Sequence, residues 1–323
     1  MSCTTSTDPK VAAQALAAGR LAVIPTETVY GLGARADDPR AVARVFATKG
    51  RPVDHPLIVH VRDKEAAHEW IRAAPEYAIT LMDQLWPGPL TVVLPRSARA
   101  ADYLTGGQDT VAVRVPGSPV PREMLRTLGE LVGDNSVAIA APSANRFGRV
   151  SPTTSMHAAE ELEGLLQEGD VILDAGPCVV GLESTIVDCS GPAPVILRPG
   201  KITAEQIEEL TKIPLGQVTN TRAPGTLASH YSPTAKVRLV STHDLAAVTG
   251  DRAMGVIAMA TVPTPPGAVR ISAPHSVEEY AAGLYRALRE ADSLGLALVL
   301  AVPPEGVGLA EAICDRLQRA AYE

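Results

Sequence analysis

The chain has 323 residues, 46% of them hydrophobic and 20% charged, with 29 Lys plus Arg against 36 Asp plus Glu and a formal net charge of −7. Such a composition suits two ordinary globular domains and excludes a disordered chain. The acidic balance also speaks against a protein whose main business is coating nucleic acid, because neutralising phosphates needs a surplus of Lys and Arg. Two Trp, two Phe and seven Tyr leave the core to Ala, Val, Leu and Ile, and the four scattered cysteines (Cys3, Cys178, Cys189, Cys314) form no CxxC pair that would indicate zinc or a disulfide framework.

Residues 1–10 are polar and lack the apolar stretch of a signal peptide, and the longest apolar run, residues 296–302, is too short to span a bilayer, so a soluble cytoplasmic protein is expected. Asp8-Pro9 reads as an N-cap with proline in the first turn, opening a helix that Gly19 closes. Residues 21–24 read as a strand. Asp38-Pro39 repeats the cap, and its helix should end near Gly50; residues 57–61 form the next strand. Helices are expected over 63–73 and 75–85, then buried strands at 90–94, 110–115 and 137–141. A helix over 154–167 precedes strands at 171–174, 184–188 and 194–198. Thr203 and Gln206 have capping-box spacing and start another helix. From 213 to 233 the pattern stops in a segment rich in Pro, Gly, Ser and Thr, which composition alone favours as a solvated linker. A second alternation follows, with strands at 236–240, 255–260, 268–272 and 296–302, a capping box at Ser276 and Glu279 opening a helix to about 291, and a last helix over 309–321. No internal repeat is seen.

The chemistry should lie in the loops between these elements. Residues 25–33, PTETVYGLG, follow a strand and read as a turn carrying hydroxyls and glycines. Its GLG lacks the third glycine of a dinucleotide fingerprint, and no phosphate-loop motif occurs in the chain. In Lys49-Gly50-Arg51-Pro52 the cations either complement a helix C-terminus or clamp an anion, and composition leaves both open. Ala141-Pro142-Ser143-Ala144-Asn145 ends a buried strand, where ligands gather in α/β sheets, though Ser and Asn also suit an ordinary turn. Glu183-Ser184 and Leu197-Arg198-Pro199-Gly200 flank strand ends. Arg114 inside the apolar DTVAVRVP must find a partner or face a polar cavity, and a structural ion pair would satisfy it equally. His60 in LIVHV suits a satisfied core residue, whereas His230-Tyr231 in the linker has no core to serve.

In order, PTETVYGLG, KGRP with HPLIVHV, LWPGPLTVVLP, DTVAVRVP, APSAN, GLESTIVD and LRPG resemble the YrdC family over residues 8–210, and the trailing APGTLASHYSP with a second α/β stretch looks like the family's long, two-domain form. The resemblance implies an α/β (mixed α+β) fold: a strongly twisted mixed sheet around a basic cavity over 1–211, a linker or lid over 212–234, and a smaller Rossmann-like domain over 235–323. It implies an enzyme that joins L-threonine, bicarbonate and ATP into threonylcarbamoyl-adenylate, releasing pyrophosphate. Mg²⁺ would enter with ATP, no organic cofactor would be used, and the product would pass to downstream tRNA threonylcarbamoyl-transfer proteins. By the same resemblance Lys49, Arg51, Ser143 and Asn145 are the catalytic signature. Arg51, His55, Thr110, Ser143, Ser151 and Arg198 would line the ATP site; His55 stands where many relatives carry an asparagine, and its imidazole can still donate. Thr28, His60, Arg114, Ala141 and Ser184 would hold threonine, with His230 and Tyr231 on the lid. Lys49 and Arg51 are expected to be solvent-accessible. An RNA-binding module using the same basic cavity, or a carbamoyl-transfer domain using carbamoyl phosphate, are the competing readings. The former would have no use for the Thr28, His60 and Ser184 set, and the latter would need an extra catalytic domain.

Overall fold

The structure, a computed structural model, describes residues 3–217, 220–225, 230–249 and 253–322. In chain order it runs β1 (Thr4–Ser6), α1 (Pro9–Ala17), β2 (Ala22–Ile24), β3 (Gly31–Arg35), α2 (Pro39–Lys49), β4 (Ile58–His60), α3 (Lys64–His68), α4 (Glu76–Leu85), β5 (Leu90–Pro95), α5 (Asp102–Thr105), β6 (Thr110–Arg114), α6 (Pro119–Val132), β7 (Ile139–Ala140), α7 (Ser155–Glu161), β8 (Val171–Leu173), β9 (Thr185–Asp188), β10 (Val195–Arg198) and α8 (Ala204–Thr211). The C-terminal part adds β11 (Lys236–Leu239), α9 (Thr242–Ala246), β12 (Met254–Ile257), β13 (Val269–Ser272), α10 (Val277–Ser293), β14 (Leu298–Ala301) and α11 (Leu309–Ala320).

Ten strands form one mixed sheet in the order β1-β8-β2-β3-β7-β4-β6-β5-β9-β10, and four form a second, all-parallel sheet in the order β11-β14-β12-β13. This is the mixed α/β architecture expected. The two faces of the large sheet follow from strand alternation. Leu57, Val59 and Val61 along β4, and Val111, Val113 and Val115 along β6, enter the main core with Phe46, Trp70 and Leu81 from the helices. Each such side chain contributes about 1.5–3 kcal/mol when fully buried. On the opposite face the same strands present Ile58 and Ala112, which with Val93 and Ile186 make a small apolar patch covered by Ala223. One step further along that face come His60 and Arg114, which are register partners on parallel strands. The far end of this face is closed by α1 and α6, where Leu16, Met124 and Leu128 pack on Ile24, Ile139 and Leu173.

The C-terminal core does not stand apart. Tyr280, Leu284, Tyr285 and Leu317 share one apolar cluster with Val29, Val150 and Leu182 of the larger part. Gly181, at φ +75°, lets the loop before β9 lie directly on α10: a Cβ there would fall 2.5 Å from the Ala282 Cα.

Several elements differ from the sequence reading. Residues 31–35 are a strand, not the tail of a turn; Leu32 faces the main core, while Gly31 and Gly33 turn to the other face, where a Cβ on Gly31 would lie 3.3 Å from the Pro142 carbonyl. Helix α6 has no counterpart in the sequence reading, because Pro119, Pro121 and Gly129 look like turn signals; the prolines fall in its first turn, where the N–H groups are unpaired anyway. Helices α3 and α7 are shorter than expected, and β1, α5 and α9 are short additions. The Thr203–Gln206 capping box is complete. At Ser276 only half forms: its hydroxyl accepts the Glu279 N–H, but the Glu279 carboxylate takes the His275 N–H instead. The described part of the linker is only partly solvated: Pro214, Gln217, Asn220 and Arg222 are exposed, whereas Ala223, Pro224, His230 and Tyr231 are buried. No helix of the described residues is long and apolar enough to cross a membrane.

Candidate active site

A hollow opens on the second face of the large sheet. It is lined by Thr28, His60, Arg114, Ala141, Ser143 and Ser184, by Arg51 and Arg198, and from above by His230 and Tyr231. These ten expected residues come from eight separate segments, and the sheet brings them together. The other expected residues do not line it. Lys49 and Asn145 stand behind Ser143, Ser151 stands behind Glu183, and His55 lies edge-on to Phe147 with ring centroids 5.5 Å apart. Thr110 sits at the start of β6, opposite Pro95. Sequence reasoning assigned no role to Thr26, Glu183, Pro224 or Gly225, all of which do line the hollow.

Arg114 finds both a partner and a polar cavity. Its guanidinium donates to Glu27 Oε1 at 2.6 Å and to the Thr28 hydroxyl at 2.9 Å. Burial alone would raise the Glu27 carboxyl, but Arg114 outweighs it and holds it below the usual range. Because Thr28 Oγ1 accepts from Arg114 and Thr26 donates to the Val29 carbonyl at 2.6 Å, the Thr28 hydroxyl is directed at Thr26 Oγ1, 2.8 Å away. His60 is bonded through Nδ1 to the Ile58 carbonyl at 3.2 Å, and burial, then Arg114, pushes its pKa down to about 3, so it is neutral. His60 is therefore both a satisfied buried histidine and a wall of the hollow.

Arg198 reaches across from β10. It donates twice to the Ser184 carbonyl, at 2.9 and 3.1 Å, once to the Ser184 hydroxyl at 3.1 Å, and once to the linker's Pro224 carbonyl at 3.0 Å. Ser184 Oγ also lies 2.7 Å from Thr91 Oγ1. Arg51 donates to the Pro56 carbonyl at 3.0 Å, and its buried Nε has no partner among the described residues. The expectation that Lys49 and Arg51 are accessible is wrong: they are 3% and 8% exposed. Gly50, at φ +61°, ends α2 so sharply that Lys49 points inward, where Nζ donates to the carbonyls of Ser143 and Asn145. Burial, with Arg51 adding to it, pulls the Lys49 pKa well below its usual value; burial likewise draws Arg51 down to about 10 and lowers Arg198. The cations of this hollow thus rest mostly on carbonyls, and it can receive an anion.

The linker closes the top. Tyr231 is fully buried, at φ +62°, stacked on Tyr285 and set edge-to-face with His230. Among the described residues, neither its buried hydroxyl nor His230 Nδ1 has a hydrogen-bond partner.

The Sua5/YciO/YrdC family model, described as telomere recombination, matches residues 14–200. The model described as the C-terminal domain of threonylcarbamoyl-AMP synthase matches residues 202–322. A threonylcarbamoyl-AMP synthase of Pyrococcus abyssi is 36% identical over 333 residues, covering 96% of this chain and 93% of the relative. One of Bacillus subtilis is 38% identical over 335 residues, covering 97% and 93%. The crystal structure of P. abyssi Sua5 complexed with L-threonine matches with a TM-score of 0.83 at 36% identity, over 99% of this chain and 98% of that one. The chain belongs to the Sua5/YciO/YrdC family, in the form that carries the Sua5 C-terminal domain.

Proposed function

We propose that this chain is a nucleotidyltransferase that condenses L-threonine, bicarbonate and ATP into threonylcarbamoyl-AMP, pyrophosphate and the water lost when the amine and bicarbonate form the carbamate, the product serving tRNA threonylcarbamoyl-transfer proteins. The observation that carries this reading is one hollow with two kinds of wall. Arg51, Ser143 and Arg198 give it a cationic side suited to a triphosphate. Thr28, His60, Arg114, Ala141 and Ser184 give it a side of hydroxyls, a neutral imidazole and a guanidinium, suited to a small amino acid. The names of the relatives, and the threonine held by the P. abyssi protein, support the same assignment.

In the reaction the threonine amine, as its carbamate, attacks the α-phosphorus through oxygen. That P–O bond forms while the bond to the β-phosphate bridge breaks, and pyrophosphate leaves with the electron pair. Both reactants are anionic, so the work of the site is to cancel charge and fix geometry. Arg51 and Arg198 would meet the phosphates, and Lys49 would add charge beneath the Ser143 loop. The carbamate loses CO₂ and the mixed anhydride hydrolyses in water, which gives the His230–Tyr231 cover a purpose. A protein-held Mg²⁺ does not fit this hollow: Glu183, an acid in its wall, has both oxygens engaged by Ser151, Tyr285 and Arg316. The ion would ride on ATP. The RNA-binding reading is disfavoured because Arg51 and Arg198 are buried, where a polynucleotide backbone cannot reach them.

The test is pyrophosphate release with protein, ATP, Mg²⁺, bicarbonate and threonine, omitting each substrate in turn. Release should require all three; release independent of threonine would overturn the proposal.

A further inference from the structure

A carboxylate in the wall of an anion-binding hollow works against its ligand unless it is neutralised and turned aside. Glu183 is such a group. Its Oε1 accepts the Ser151 hydroxyl at 2.6 Å, and its Oε2 accepts the Tyr285 hydroxyl at 2.8 Å and Arg316 Nε at 3.0 Å. Tyr285 belongs to α10 and Arg316 to α11, so the C-terminal part supplies both of the latter. Arg316 is wholly buried and spends the rest of its fork on the Pro199 carbonyl, at 2.9 Å, and on Asp315. One guanidinium therefore touches the neighbours in sequence of both Ser184 and Arg198.

Tyr231 lies between these groups. Its ring stacks on Tyr285 at 5.4 Å, and the Arg316 guanidinium sits 5.3 Å from its centroid. Its neighbours in sequence are tied down, Ser232 N–H donating to the Gly148 carbonyl at 2.9 Å and His230 N–H to the Arg319 carbonyl at 3.4 Å. Its own backbone, however, is left-handed, which a bulky residue disfavours, and among the described residues its buried hydroxyl has no partner. The side chain itself is set by ring contacts, and two of them, with Tyr285 and Arg316, are in turn fixed by Glu183.

We infer that Arg316 and Glu183 are positioning residues for the proposed reaction, acting as a couple through which the C-terminal part sets the Tyr231 ring over the hollow. The inference rests on the function proposed above. The alternative is that the couple merely joins the two parts of the chain, and a double-mutant cycle in the full-length protein separates the two. The variants are Tyr231→Ala, Arg316→Ala and the pair, read by kcat for threonine-dependent pyrophosphate release and by thermal unfolding. Each single change should lower kcat about 100-fold, the scale of a displaced positioning group. At saturating ATP Arg316 acts through Tyr231, so the kcat of the pair should be no lower than that of Tyr231→Ala alone, while the Glu183 carboxylate freed by Arg316→Ala shows separately as a raised KM for ATP in both backgrounds. Tyr285→Phe, which keeps the stack and loses one hydrogen bond, should stay within about tenfold.

Losses that multiply to about 10⁴-fold in the pair, or an Arg316→Ala protein that melts early yet keeps its kcat, would overturn the inference. Should Arg316→Ala fail to fold, Arg316→Lys keeps a charge opposite Glu183; its kcat loss should vanish in the Tyr231→Ala background, and a loss that persists there refutes the couple. Those results leave the proposed function standing if the unmodified protein releases pyrophosphate with threonine. A wild-type protein that does not would refute the function and this inference together.

Discussion

Gly225 lies where the linker meets Tyr231 and Arg198, and replacing it with alanine perturbs the contact of the cover with the cationic wall. Its φ is +78°, and a Cβ there would fall 2.5 Å from the Tyr231 hydroxyl and 3.0 Å from Arg198 Nη1. The left-handed backbone costs an alanine about 1–2 kcal/mol, which lowers the population of the closed arrangement roughly 5- to 30-fold. The clash adds to this. Tyr231 cannot swing away cheaply, since Tyr285 and Arg316 hold its ring, and Arg198 is tied to Ser184 by three hydrogen bonds. Gly225→Ala should therefore lower kcat/KM for pyrophosphate release by at least about tenfold. The same strain in the folded chain should lower the melting temperature by a few degrees, up to about 8 °C, leaving the protein folded at the assay temperature. The assay is steady-state pyrophosphate release beside calorimetric unfolding of the same preparation. Activity within twofold of the unmodified protein would mean that the close approach of linker, Tyr231 and Arg198 is not used in turnover.

Two further outcomes can be checked. Arg51→Lys keeps the charge but loses the planar fork, including the unpartnered Nε; KM for ATP should rise about tenfold, the worth of one charge-assisted hydrogen bond, with the KM for threonine nearly unchanged. His60 and His230 are both held down at about 3 by burial, so the unfolded chain takes up their protons near pH 6.5 while the folded chain does not until about pH 3. Stability then falls as pH drops below 6.5, by up to about 1.4 kcal/mol per pH unit for each group. Glu183, held at about 2 by Arg316 and Arg198 against burial, acts in the same direction only below about pH 4.5, its ordinary value. The slope of melting temperature against pH between 6.5 and 4.5 should flatten in His60→Asn, and an unchanged slope would show that the imidazole is protonated in the folded protein.

How much of this was legible depends on how local the cause is. Asp8, Asp38 and Thr203 announce their helices because a cap acts within one turn. The strand-end segments at Ser143, Ser184 and Arg198 could be read as candidates, but convergence on one hollow depends on pairing between strands far apart in sequence. GLG was misread because its glycines alternate with Leu32 at strand period, a pattern too short to separate from a turn. The inward turn of Lys49 is set by Gly50, and sequence shows the glycine but not which way the lysine points. The Glu183 couple did leave a signal. Ile313, Arg316, Leu317 and Ala320 occupy one buried stripe of α11, so an arginine stands where the spacing demands an apolar residue. Such a residue has to meet a buried acid or a set of carbonyls, as Arg51 and Arg198 do, and nothing in its own segment says which.

The same couple explains why an acid can line this hollow without cancelling it. Lys49, Arg51 and Arg198 are buried, and the hydrogen-bond partners that hold them are backbone carbonyls and one hydroxyl. All three are displaced toward their neutral forms, which is the mark of charge waiting for a counter-charge. Glu183 is near enough to influence Arg198, and were it free it would be that counter-charge. Arg316 takes it first: among the charges that hold the Glu183 carboxyl down, Arg316 outranks Arg198. The C-terminal part thus completes the acid so that the cations stay incomplete, and the energy of satisfying them remains available to an arriving anion. Apolar burial on the other face of the sheet offsets the strain of keeping them so. A pocket built this way is stabilised by the ligand it binds, and its strongest stabilisation should come from the most highly charged anion that fits.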